Sequence, residues 1–323
     1  MTEARGTTSA GDWNSFWQSA RTTAAHQAGS IQDAPLEAFW SGLFAEAIPR
    51  LPGAARVLDL GCGSGAVLGH AAAAGGSGWL LVGLDPAPAG LHVLRSRHAR
   101  AFGVAGDAAR VPFARGSFHI VASQFGLEYA GTAAIPEAAR LVAPGGLLAA
   151  VMHLRYGGLY EECAVNRDAA DGFLRSRLLL RFADLYRTGA ALKAGRAGRD
   201  EYVQADRRLA QAVKAAGEVL QRWGRGVADG RLFRIYSDVG HMYQRLGAHD
   251  PSEVEAWTRR MTAELQHFSG RMNAMLEVAL DAAQVENIAA ALEAEGLVLR
   301  VRDNLTGPRA EPWAWVVLAE RPA

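Results

Sequence analysis

Apolar runs and amphipathic stretches divide the chain into distinct regions. Between residues 57 and 152, five mainly apolar runs of four to six residues lie at 57–60, with Asp59 inside it, and at 79–84, 102–105, 118–123 and 147–152. Short continuous runs bounded by glycine and proline are the pattern of strands buried on both faces. The stretches between them predict helices over 66–74, 89–100 and 135–142. From 156 to 280 the alternation stops, and helical patterns are broken at the glycine-rich stretches 189–198 and 224–230. It resumes with a helix predicted over 281–295 and strands over 297–302 and 313–318. This order predicts an α/β fold with a mostly parallel seven-stranded sheet, helices on both faces and a helical insertion after the fifth strand.

Ahead of the sheet, residues 1–10 are small and polar and are expected to be disordered. Trp13, Phe16 and Trp17 fall at i, i+3 and i+4, on one face of a helix, followed by a polar stretch to Asp33. A second helix, predicted over 35–48, opens on Pro35, where a missing N–H does no harm, and is broken by Pro49, Pro52 and Gly53. Residues 1–50 thus read as an N-terminal helical lid, 51–155 with 281–323 as the core, and 156–280 as a helical cap for a substrate.

Composition narrows the classes. Half the residues are apolar, enough for a sizeable core, and 34 basic against 33 acidic residues leave a net charge of +1. No chain-wide field argues for nucleic acid or an anionic membrane as a partner. Cys62 and Cys163 form neither a disulfide framework nor a metal spacing, so a reducing, cytoplasmic setting and no metal are expected. No apolar core near the N-terminus predicts a signal peptide, and no run of about 18 apolar residues predicts a membrane span. Locally, residues 167–234 carry 15 Lys and Arg against 8 Asp and Glu, a net +7 that suits an anionic group on a substrate or, alternatively, solvated helix faces.

The densest chemistry follows the first predicted strand. Gly61, Gly63 and Gly65 alternate just before an alanine-rich helix. Such glycines permit positive φ and let a ligand approach main-chain N–H groups, with the positive end of the next helix aimed at the same point. The run from Gly61 to Ala66 satisfies the loose dinucleotide pattern, and Asp85 closes the second strand where a ribose-binding acid belongs. Asp59, two residues before the turn, would repel a pyrophosphate but suit an ammonium or sulfonium group. An adenosine joined to an amino acid fits better than a dinucleotide. Asp107 and Gln124 end later strands, where parallel sheets hold ligands.

Residues 57–65 resemble the first motif of the class I S-adenosylmethionine-dependent methyltransferases. The resemblance continues through Asp85, through Gly106-Asp107-Ala108 with Val111-Pro112-Phe113 after it, through the run 117–121, and through the helix and Pro-Gly-Gly turn at 137–146. It covers residues 50–153 and 281–320. It implies a Rossmann-like fold, S-adenosylmethionine as cofactor and S-adenosylhomocysteine as product. It also implies that Asp85 binds the ribose hydroxyls and Asp107 meets the adenine amino group. The expected cofactor contacts are Trp17, Asp59, Gly61, Cys62, Gly63, Gly65, Asp85, Pro86, Asp107, Ala108, Gln124 and Phe125. Cys62 reads as a small residue tolerated in the turn. His119 stands where the family usually has Asp, a position read as structural.

Methyl transfer from a sulfonium is an in-line displacement, so the first demand is a nucleophile held about 3–3.5 Å from the methyl carbon. A base helps only when the acceptor is a hydroxyl or a protonated amine. His153 is the first candidate for that base, with Glu128, Tyr129 and Tyr156 as further catalytic candidates. Arg234, Tyr236, His241, Tyr243 and Arg245 form a polar-aromatic group expected to contact the substrate. The expectation is methyl transfer to O or N of a small organic acceptor, the basic cap suiting an anionic one, by a monomer or homodimer. A peptide or tRNA methyltransferase, and a non-catalytic S-adenosylmethionine-binding protein, are the alternatives.

Overall fold

The computed structural model describes residues 13–14, 16–18 and 34–323. The expected disorder of residues 1–10 and most of the polar stretch up to Asp33 fall outside them. The chain forms two compact units, one of Met1–Glu161 with Ala274–Ala323 and one of Glu162–Asn273.

The first unit is built on seven strands, β1 (Arg56–Leu60), β2 (Leu80–Asp85), β3 (Ala101–Ala105), β4 (Phe118–Gln124), β5 (Val142–His153), β6 (Val298–Thr306) and β7 (Pro312–Glu320). Its helices are α1 (Ala34–Ala47), α2 (Ala66–Gly75), α3 (Pro88–Arg97), α4 (Ala134–Leu141) and α10 (Ala282–Ala294). The strand order is β3-β2-β1-β4-β5-β7-β6. The first five strands pair in parallel, and β7 runs antiparallel to both β5 and β6. The sheet is therefore mixed, mostly parallel, with the antiparallel pair where the chain returns by a short connection instead of a helix.

Two boundaries differ from the pattern. The fifth strand begins at Val142, ahead of the Pro-Gly-Gly turn, and its register against β4 slips between Phe118 and Ile120. Gly145, at φ 70°, absorbs that irregularity. The sixth strand runs on to Thr306 because it is a mostly exposed edge strand, held by its pairing with β7 where no apolar pattern marks it.

Leu58, Leu60, Val82, Leu84, Val121 and Leu148 bury one sheet face under α4 and α10 through Ile135, Ala138, Val285 and Leu292. His119 is structural: its Nδ1 accepts the Arg56 N–H of β1 at 3.0 Å. The chain builds outward from β1 to β3 and then returns to lay β4 beside β1 on its other side. That reversal opens a crevice at the carboxyl ends of β1 and β4. Its edges are tied by Ser123, whose buried hydroxyl donates to the Leu60 carbonyl at 2.7 Å and accepts the Leu127 N–H at 2.9 Å. A Cβ on Gly61 would stand 2.7 Å from the Gly126 Cα, so the two strand ends approach backbone to backbone.

The second unit is helical, comprising most of α5 (Gly158–Arg175), α6 (Leu178–Lys193), α7 (Arg199–Trp223), α8 (Arg231–Gln244) and most of α9 (Pro251–Val278). Tyr186 on α6 donates to the Met242 carbonyl on α8 at 3.0 Å, and Asn166 on α5 accepts the Ala228 N–H at 2.9 Å. Among the described residues no helix is long and apolar enough to cross a membrane.

Removing the Ser123 hydroxyl unties the crevice. Ser123→Ala is expected to lower stability by about 1–3 kcal/mol, since a buried N–H and carbonyl both lose their partner. Denaturant unfolding of the two proteins measures it.

Candidate active site

At the β1/β4 crevice lies a cavity of about 340 Å³, entirely within the first unit. Asp59, Gly61, Cys62, Gly63, Asp85, Pro86, Asp107, Ala108, Gln124, Phe125, Tyr129 and Trp17, all singled out in the sequence, line it. Strand ends and the turns after them deliver these groups, because parallel strands present their carboxyl ends on one side.

The glycine turn works differently from the expectation of open N–H groups. Gly61 and Cys62 donate to the Leu84 carbonyl at 2.8 and 3.1 Å, Gly65 donates to the Cys62 carbonyl at 2.8 Å, and Gly63 donates to Asp85 Oδ2 at 2.8 Å. With these four donors used inside the protein, the turn has little left for a pyrophosphate. Its glycines serve close approach instead. Gly63, at φ 49°, lies so near the Trp17 indole that a Cβ there would collide with the ring. Gly65 does not line the cavity and packs against Leu94.

Trp17 is buried on the turn, and its neighbour Asn14 accepts the Ala89 N–H at 3.1 Å, satisfying a donor in the first turn of α3. This short helical piece is thus pinned beside the carboxyl ends of β1 and β2 by an aromatic contact and a cap. Gln124 is held from behind, its Oε1 accepting the Trp40 indole N–H at 2.6 Å, which leaves the amide NH₂ as its remaining donor. Asp107 Oδ1 accepts the Ala109 N–H at 2.9 Å, fixing the loop after β3.

Two carboxylates dominate the electrostatics. Asp59 is 2% exposed, and its Oδ1 has no hydrogen-bond partner among the described residues. Burial first and repulsion from Asp85 second hold its pKa well above the usual carboxylate range. Asp85 is also raised by burial, opposed by the N–H groups of Ala87 and Gly63 that its two oxygens accept. Burial, Asp59 and Asp85 all push the Cys62 thiol up, so it is a poor nucleophile here and fills space against Gly83. A buried carboxylate with a vacant acceptor position suits a cationic group. Together with a turn whose amides are already engaged, it fits an aminoacyl adenosine better than a dinucleotide.

The catalytic candidates separate. Tyr129 lines the cavity, whereas His153 and Glu128 do not. They form a buried pair behind its wall, with side chains 2% and 0% exposed. Glu128 Oε1 accepts both His153 Nδ1–H at 2.7 Å and the His153 backbone N–H at 3.1 Å. The imidazole packs on Phe125 and Tyr129, with ring centroids 4.5 and 6.0 Å away. His153 therefore supports the two aromatic rings of the wall, and Phe125 holds its place at a left-handed φ of 53°. Tyr156 is 75% exposed and stacks edge-on with Tyr160. In the helical unit, Arg234, His241, Tyr243 and Arg245 are exposed and Tyr236 half-buried. Tyr243 donates to Asp206 at 2.8 Å, and none of the five lines the cavity.

Trp13, Ala66, Val67, Leu84, Gly126, Ala130 and Met275 also line the cavity. Trp13 carried a signal in its helical spacing with Trp17. Met275 carried none, because it enters from the end of α9, in a helical stretch that matches no motif.

The raised carboxylates link stability to pH. The folded state holds their protons more tightly than the unfolded chain, so that stabilisation is complete below the usual carboxylate range and lost as pH rises through the raised values. Asp59→Asn is accordingly expected to melt higher than the parent at neutral pH, the gap closing on acidification. Melting curves of both proteins across pH test this.

Residues 57–146 match the family described as Methyltransferase domain. No curated protein matches the chain significantly. Among solved structures, an amino pentose methyltransferase from Micromonospora echinaspora, with S-adenosylmethionine bound, is 28% identical over 39% of this chain and 52% of its own, TM-score 0.32. DesVI of Streptomyces venezuelae is 26% identical over 39% and 53%, TM-score 0.33. A methyltransferase from Methanosarcina mazei is 13% identical over 86% and 97%, TM-score 0.40. The chain spans about half the length of the first two. Residues 57–146 therefore carry a methyltransferase domain, and the five-station motif set that resembles the class I S-adenosylmethionine-dependent methyltransferases lies along a β3-β2-β1-β4-β5-β7-β6 sheet.

Proposed function

We propose that the protein transfers a methyl group from S-adenosylmethionine to O or N of a small organic acceptor. The observation that carries the reading is the cavity at the β1/β4 crevice, where the buried Asp59, its Oδ1 without a hydrogen-bond partner among the described residues, stands beside Asp85 and an aromatic wall of Trp13, Phe125 and Tyr129. In this reading Asp59 receives the ammonium of the cofactor's amino-acid end, Asp85 the ribose hydroxyls and Asp107 the adenine amino group. Gln124 offers its amide NH₂ to the same ligand.

S-adenosylmethionine supplies an activated methyl group on sulfur. The acceptor's lone pair forms the new bond to carbon as the carbon–sulfur bond breaks toward sulfur, and the acceptor's proton leaves to solvent or a base. The chain's part is positioning and exclusion of water. Trp13, Phe125 and Tyr129 present apolar faces that orient a small acceptor, and the Glu128–His153 pair keeps the last two rings in place. His153 thus serves as a positioning residue and Tyr129 as the polar group on the acceptor side.

Calorimetry with S-adenosylhomocysteine and with NADH separates this reading from the dinucleotide one. Micromolar-range binding of the first and none of the second is expected, on the order of affinities that such sites reach. Tight NADH binding would contradict it. Transfer of an isotopically heavy methyl group to members of a small-molecule panel then distinguishes an enzyme from a binding protein.

A further inference from the structure

The helical unit holds a cavity of its own, about 450 Å³, between the elbow joining α5 to α6 and one face of α9. Its walls differ in kind. Phe173, Leu178, Leu179 and Ala183, all buried, floor the elbow side. Across from them, Glu255, Thr258, Arg259, Thr262 and Gln266 recur along α9 at helical spacing. That ridge has no large apolar side chain where packing against an apolar partner would require one. An apolar floor facing a polar ridge suits a ligand with both characters.

The charges in this cavity are unequal. Arg177, Arg187 and Arg259 line it against a single carboxylate, Glu255. Glu255 pairs with Arg259 at 2.9 Å, and Arg187 pairs with Asp184 at 3.0 Å. Arg177 has no ion-pair partner among the described residues. It also sits at φ 58° and ψ 22°, just ahead of α6. Glycine occupies that left-handed region without strain, whereas a side chain with a Cβ does not. The chain thus keeps a guanidinium where the backbone alone favours glycine, at the edge of an apolar-floored cavity.

We propose that this cavity binds a small organic carboxylate with an apolar tail. Arg177 takes the carboxylate through its planar fork, Arg187 and Arg259 add positive potential, and the tail lies on Phe173, Leu179 and Ala183. The site shares no lining residue with the cofactor cavity, so it constitutes a second ligand site. Arg177 and Arg187 come from the basic stretch 167–234.

Decanoate titrated into the full-length protein tests the proposal, with decanol and acetate as separate arms and S-adenosylhomocysteine binding as an internal control. Decanoate is expected to bind at least about tenfold more tightly than either arm. Arg177→Gly is expected to weaken decanoate by at least about tenfold, the loss of a forked, charge-assisted pair. It should leave decanol and S-adenosylhomocysteine binding unchanged and the melting temperature no lower, because glycine relieves the left-handed strain. Arg187→Gln, at an exposed position, gives a second reading independent of that backbone, and should also weaken decanoate and spare decanol. Decanoate binding no tighter than decanol, or full decanoate affinity in both variants, overturns the proposal.

Discussion

A carboxylate taken out of water at the end of a buried strand is the constraint around which the first unit is organised. Asp59 sits in β1 with one oxygen unpartnered among the described residues and a second buried carboxylate, Asp85, close enough to raise its pKa further. Such an arrangement is costly in an empty site and is relieved by a cation. The surrounding structure keeps the two acids in place. Asp85 is held by the N–H groups of Gly63 and Ala87, Ser123 ties β4 to β1, and Gly61 allows the β4 turn to close against it.

The electrostatics of the two cavities run in opposite directions. In the sheet unit, buried acid faces a cavity with an aromatic wall. In the helical unit, unmatched guanidinium faces a cavity with an apolar floor. Near-zero net charge for the whole chain conceals this separation, since 34 basic and 33 acidic residues cancel only in sum. The charge of a site is set by which groups share its walls, and composition cannot report that.

The strand ends were legible because their physics is local. A short apolar run closed by glycine or acid, as at Asp59, Asp85 and Asp107, marks both a buried strand and the place where a parallel sheet presents its ligand groups. What was not legible depends on contacts distant in sequence. His153 has the chemistry of a base, yet Glu128 captures its Nδ1 and burial places it behind the wall, which only the pairing of β4 with β5 determines. The turn amides of Gly61, Cys62 and Gly63 looked available because their acceptors, Leu84 and Asp85, lie more than twenty residues away. Met275 reaches the cavity from α9 without a sequence signal, and Arg177 carries a backbone conformation that no composition predicts.

The role proposed for Asp59 has a direct thermodynamic signature. With its pKa raised in the free protein, pairing with an ammonium returns the carboxylate toward ionisation, so binding should release a proton and tighten as pH rises through the raised value. Calorimetry of S-adenosylhomocysteine binding, in two buffers of unlike ionisation heat and across pH, measures that release. The prediction is proton release by the parent protein, with none by Asp59→Asn and an affinity at least about tenfold weaker. Binding by Asp59→Asn as tight as by the parent, or binding by the parent without proton release at any pH, would contradict the account.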